Sequence, residues 1–125
     1  MERSLNSILS GDAEISGAVS GRISIIKRDD LFPAITYEKT GRNQERDVSG
    51  RVSGVIESSM QIIARAKTYS QAKTIADLIT VKLEGLRGDE YGVNIMLTVQ
   101  NDESSNQLLE PDITEITLDY TFYHN

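Results

Sequence analysis

The chain has 125 residues, is 38% hydrophobic and 6% aromatic, and carries a net charge of −6. Its length allows a single domain, residues 1–125, to bury roughly two thirds of its unfolded surface and fold without staples. The lack of cysteine excludes disulfides and thiolate metal sites, and no apolar run approaches the ~18 residues of a membrane span. Met1 to Asn6 lack the apolar core of a signal peptide, so the expectation is a protein made and used in a reducing cytoplasm.

In chain order, residues 3–19 read as short helical pieces. Leu5, Ile8 and Leu9 form one apolar stripe, and Asp12 can cap a second turn carrying Ile15, Ala18 and Val19. Gly21 turns the chain into a short strand, Arg22 to Ile26. Lys27 to Asp30 is a charged turn, and Pro33 opens a strand from Ala34 to Lys39, where no ladder N–H is needed. From Thr40 to Gly54 the residues are polar and rich in Gly and Ser. With little to place in a core, residues 40–54 are expected to form a long loop.

The clearest pattern runs from Met60 to Leu86. Met60, Ile62, Ala64 and Ala66 alternate with Gln61, Ile63, Arg65 and Lys67, as in a half-buried strand. At Thr68 the period changes to about 3.6, placing Ala72, Ile75, Ala76, Ile79, Leu83 and Leu86 on one helical face. Thr68 and Gln71 have the spacing of a capping box, and Gly85 can accept a left-handed end. A long helix is therefore expected at about 68–84. Gly88 to Gly92 reads as a turn, and Val93, Ile95, Leu97 and Val99 alternate as a strand. A second polar loop is expected at 101–112, before a last strand with Ile116, Leu118, Tyr120 and Phe122 on one face. The fold class that follows is α+β: a mainly antiparallel sheet with the long helix packed on one face and a short N-terminal helical segment.

Charge is unevenly spread. All 13 basic residues lie at or before Arg87, whereas eight of the 19 acids follow it. Such a one-sign surface repels nucleic-acid phosphates and attracts basic partners, or simply keeps a small protein in solution. Catalytic equipment is hard to find. His124 is the only histidine and sits near the end, where chains fray, so neither a Ser–His–Asp arrangement nor a histidine-ligated metal is expected. No phosphate-binding glycine loop occurs, the paired acids read as solvated loop charge, and the aromatics are too few for a base-stacking platform. No enzyme activity, metal or cofactor is expected, and an assembly component fits better.

The order of pieces resembles the small tail-completion proteins of long-tailed bacteriophages and prophages, the tail-terminator or tail-to-head joining family. The resemblance spans nearly the whole chain. It is carried by Gly21-Arg22-Ile23, by Phe32-Pro33-Ala34-Ile35-Thr36-Tyr37, by the junction Ala66-Lys67-Thr68-Tyr69-Ser70-Gln71-Ala72, by the acidic stretch Gln107 to Asp112, and by Leu118-Asp119-Tyr120-Thr121-Phe122. It implies a structural subunit that forms a ring, of six copies by family analogy. Such a ring caps the tail tube, stops its polymerisation and mediates joining to the head connector. The partners implied are further copies, the tail tube protein and the head–tail connector protein. DNA is passing cargo, and the location is the virion tail or neck after assembly in the host cytoplasm.

Under that reading Arg42, Arg46, Asp47 and Arg51 are candidates for partner contacts. Asp102, Glu103, Glu110, Asp112 and Asp119 are candidates for an acidic surface facing the channel lumen or a partner. Two alternatives remain open: another head–tail connector or stopper in the neck, and a small-molecule-binding regulatory module.

Overall fold

The computed structural model describes residues 2–19, 21–24, 33–46, 52–84, 86, 88–90, 93–109 and 112–124. The elements are α1 (Glu2–Gly11), α2 (Ala13–Ala18), β1 (Ile23–Ser24), β2 (Ala34–Arg46), β3 (Val52–Ala66), α3 (Tyr69–Leu83), β4 (Gly88–Glu90), β5 (Val93–Leu109) and β6 (Asp112–His124). They form an α+β fold around one sheet of order β1-β2-β3-β6-β5-β4. The four long inner strands are antiparallel throughout, β1 joins β2 in parallel, and β4 joins β5 antiparallel.

The alternating stretch became the central strand. Met60, Ile62, Ala64 and Ala66 are all fully buried on β3, opposite Tyr37 and Ile35 of β2 and Leu118 and Ile116 of β6. Helix α3 starts where the pattern changes period: Thr68 is its N-cap, and Thr68 Oγ1 accepts from the Gln71 N–H at 3.2 Å. Ala72, Ile75, Ala76, Ile79 and Leu83 form its buried stripe and share one core cluster with β3 and β6. Burying each large aliphatic side chain of that stripe contributes about 1.5–3 kcal/mol. The Tyr120 hydroxyl donates to Thr80 Oγ1 at 3.3 Å, so the helix is also tied to β6 by a polar contact.

Leu5, Ile8 and Leu9 of α1, with Ile15 and Val19 at α2, complete the same core, so all three helices lie on one face of the sheet. Asp12 caps α2 by accepting from the Glu14 and Ile15 N–H groups. Gly21 has φ +75°, a conformation a side chain would strain, and it turns the chain into β1. The Arg22 carbonyl accepts from the Ile35 N–H at 2.8 Å, and Arg22 Nε donates to the Pro33 carbonyl at 2.8 Å, which fixes β1 beside the start of β2.

Three expectations need correction. The polar loop at 40–54 is instead strand over its described residues: β2 continues to Arg46 and β3 begins at Val52. The polar loop at 101–112 is likewise mostly strand, since β5 continues to Leu109 and β6 starts at Asp112. The physical reason is shared. These segments owe their extended form to ladders with β3 and β6, not to an apolar face of their own. The turn at 88–92 contains a short strand, β4, which pairs Gly88 with Ile95. The charged turn at Lys27 to Asp30 and the helix end at Gly85 lie outside the described residues.

Candidate assembly surface

Because the helices occupy one face, the opposite face of the sheet is uncovered by any described helix. Its side chains follow from register, in rows across β2, β3, β6 and β5. One row is Glu38, Gln61, Asp119 and Asp102; the next is Thr36, Ile63, Thr117 and Ser104; a third is Ala34, Arg65 and Glu115. The face is polar, and its charges are grouped.

In the third row Arg65 is the organising side chain. Its Nε donates to Glu115 Oε2 at 2.9 Å, and its Nη1 donates to Thr36 Oγ1, linking β2, β3 and β6. Both ends of the ion pair are largely buried, with side-chain exposures of 14% and 16%. Partial burial keeps water from screening the pair as it would on an open surface. Nearer the other end, Asn101 donates through Nδ2 to Thr121 Oγ1, at 2.5 Å.

The predicted acidic residues do not act as one group. Asp102 and Asp119 meet across β5 and β6 on the uncovered face, while Glu103 projects to the helical side and accepts from Lys73 Nζ at 2.9 Å. Lys73 also lies 3.3 Å from Asp77, and the hydrogen bonds to Glu103 and then Asp77 raise its pKa above the ordinary lysine value. Asp112 stands opposite Leu109 at the hairpin end, and Glu110 lies outside the described residues. Of the predicted basic contacts, Arg42 and Arg46 lie on β2, opposite Ser58 and Val52 of β3. The acids of β5 are thus on the far side of the sheet from them. Asp47 and Arg51 lie outside the described residues.

One premise about His124, that it lies in a loose end, needs correction. It does not fray: β6 runs through it, it pairs with Ile56 and Ile95, and it is buried on the core face. Its Nε2 lies 2.7 Å from Ser58 Oγ, and Ser58 is fully buried. A hydroxyl sealed inside the core offers no approach to a substrate, so this pair is a core hydrogen bond. Among the described residues no group of three His, Asp or Glu side chains is placed to hold a metal ion, and no helix is long and apolar enough to cross a membrane. A cavity of about 460 Å³ between α2 and α3, lined by Asp12, Glu14, Leu78, Val81 and Lys82, opens broadly to solvent.

Sequence reasoning missed the Arg65 network and the Ser58–His124 bond because both depend on strand register. The one readable signal was a charged residue, Arg65, inside an alternating strand, opposite no predicted partner.

The outer edges complete the surface. Among the described residues β4 pairs with β5 only over Val93 to Ile95, and β1 pairs with β2 only at Ile35 and Thr36. Gln100 to Ser105 of β5 are exposed on both faces of the strand.

No family model matches the chain, and no curated protein matches it. Among solved structures 19 chains match. One belongs to the "Virion of native gene transfer agent (GTA) particle"; it superposes with a TM-score of 0.77 over 99% of this chain and 93% of its own length, at 12% identity. At that identity the likeness is one of fold.

Proposed function

We propose that this chain is a structural subunit of a phage-like particle and, within it, the tail-completion or terminator protein. In this role it forms a ring of six copies that caps the tail tube, stops its polymerisation and mediates joining to the head connector. The observation that carries the reading is the end-to-end likeness in fold to a chain of a gene transfer agent virion. Among the described residues β1 pairs with β2 only at Ile35 and Thr36 and β4 with β5 only over Val93 to Ile95, which suits a subunit made to meet copies of itself, and the buried Ser58–His124 pair gives no foothold for an enzymatic alternative.

A terminator works by competition between interfaces. One ring face binds the last ring of tube protein firmly enough to block the next, and the other binds the connector. The row containing Asp102 and Asp119 suits a lumen wall, where carboxylates repel phosphates and let DNA pass without sticking. Arg42, Arg46, Asp47 and Arg51 are assigned to contacts with neighbouring subunits or tube protein. The subunit would act as a single domain, residues 1–125, located in the virion tail or neck after assembly in the host cytoplasm.

Electron microscopy of particles assembled without the protein tests this. Tails of excess length are the expected result. Tails of normal length that fail to join heads would instead make the chain a connector or stopper of the neck. Complete particles would end both readings.

A further inference from the structure

We propose that Asp102 to Ser105 of β5 form a strap that lifts from β6 as a local unit while the rest of the chain stays folded, and that Lys73 is its latch. The device belongs to the free chain and holds whatever that chain assembles into.

Among the described side chains of β5, the anchored ones come first. Ile95 belongs to the core cluster, and Thr98 is buried, its hydroxyl donating to the Leu86 carbonyl at 3.1 Å. From Val99 to Ser105 every residue is exposed. The change falls beside a register shift between Gln100 and Asp102, where the ladder to β6 is interrupted and Asn101 Nδ2 donates to Thr121 Oγ1 instead.

Past the shift, Asp102, Glu103, Ser104 and Ser105 pair in turn with Asp119, Leu118, Thr117 and Ile116. Local openings are drawn from segments with few buried apolar contacts and wet backbone hydrogen bonds, and this stretch buries no apolar side chain. β6 has no such freedom. Ile116 and Leu118 lie in the core cluster with the stripe of α3, and β3 holds the strand's other side from Ile56 to Ala66. When the strap lifts, β6 therefore stays.

Two electrostatic contacts of opposite sign set the balance. On the uncovered face Asp102 stands against Asp119, which pushes the strap away. On the helical face Lys73 Nζ reaches from α3 to Glu103 Oε2 at 2.9 Å, the one side-chain tie between α3 and β5 among the described residues. Lys73 also lies 3.3 Å from Asp77, one turn further along its own helix. That second carboxylate makes Lys73 a latch and not a fixed brace. When Glu103 leaves, the ammonium keeps a partner on α3, so release strands no charge there. Lys73 and Glu103 are 36% and 33% exposed, so salt reaches the tie and weakens it.

Residue-resolved amide hydrogen exchange on the full-length chain, repeated at rising sub-denaturing urea, tests the device. The strap amides that bond to β6 should exchange at a lower free energy than those of Ile62 and Ala64 on β3, and their rates should hardly respond to urea. Lys73→Gln should speed that local exchange by up to about fivefold, and Asp119→Asn should slow it by up to about as much. Asp77→Asn should also slow it, because the open strap would then leave Lys73 without its second partner.

Salt should act with opposite signs in two of these chains. Raising it from about 0.01 M to about 1 M shortens the Debye length from about 30 Å to about 3 Å. In Lys73→Gln, where repulsion is left to be screened, the strap should slow. In Asp119→Asn, where salt weakens the latch, it should speed up. Ile62 and Ala64 must still report global unfolding in every variant. Strap amides that share the free energy and urea slope of Ile62 would overturn the strap, and local rates indifferent to Lys73→Gln would overturn the latch.

Discussion

Asp102 and Asp119 stand directly opposite each other on β5 and β6, on the face that no helix covers. Like charges in such cross-strand positions repel, and the repulsion weakens the pairing that holds the outer strand. Asp119→Asn should stabilise the isolated chain by about 0.2–1 kcal/mol, read as a higher urea midpoint at unchanged slope. The gain should shrink as salt is added, because the Debye length falls to about 3 Å at 1 M. A loss of stability at low salt would show that the two carboxylates do not repel. For the lumen role, Asp102→Lys should leave rings and joined particles intact while slowing DNA ejection; failed joining would assign the acids to a partner.

Arg65 is the only charged side chain linking three strands on the uncovered face among the described residues, through Glu115 and Thr36. Arg65→Ala should cost about 1–3 kcal/mol, because it leaves the largely buried Glu115 carboxylate without its partner. Glu115→Gln should cost less, since an amide keeps a hydrogen-bond acceptor without a full charge. A double-mutant cycle in urea should give a coupling of at least ~0.5 kcal/mol, and strict additivity would mean the ion pair contributes nothing.

Lys73 supplies a pH signature. Its hydrogen bonds to Glu103 and Asp77 raise its pKa in the folded state. The folded chain therefore holds this proton more tightly than the unfolded chain does. The stabilisation is complete below the ordinary lysine pKa of 10.5 and fades as pH rises through the higher folded-state value. The stability difference between the unaltered chain and Lys73→Gln should be flat through neutral pH and close above about pH 10.5. Tyr120, whose pKa is raised chiefly by burial, loses stability over the same alkaline range, so the comparison must be made between chains that both keep it.

Ser58→Ala should cost about 1 kcal/mol, the worth of one buried hydrogen bond, measured as a lower melting temperature. Ser58→Val adds volume in a closed core and should cost more. Tolerance of both substitutions would mean that the Ser58 hydroxyl does not hold His124 in place.

Legibility in the sequence followed the balance between local and distant forces. Met60 to Ala66 and the stripe from Ala72 to Leu83 were readable because the apolar core imprints its period on whatever packs against it. Asn101 to Ser105 were not, because both faces of that strand are wet and nothing local marks it as extended. Its form is imposed by Leu118, Thr117 and Ile116 across the ladder. The same holds for Thr40 to Arg46 against β3. His124 was misjudged for a related reason: position in the chain suggested a loose end, while the sheet places it between two neighbouring strands. The candidate surface was visible as a list of charges but not as an arrangement, since which acids meet depends on register and bulges.

The inner pair of strands, β3 and β6, has a kinetic consequence. Each strand first meets its hairpin partner nearby in sequence, β2 for one and β5 for the other, but they meet each other only after α3 and the following hairpin have been made. Hairpins form in about 1–10 µs, whereas joining distant segments waits on closing the intervening chain. Between those events each half carries an unsatisfied inner edge as well as its outer one. In a crowded pool of newly made subunits, the inner edge of one chain can capture the missing half of another, with α3 as the bridge, and lock two copies by exchange. Because α3 shares one core cluster with both β3 and β6, its docking onto β3 offers β6 an apolar surface of its own chain to close upon.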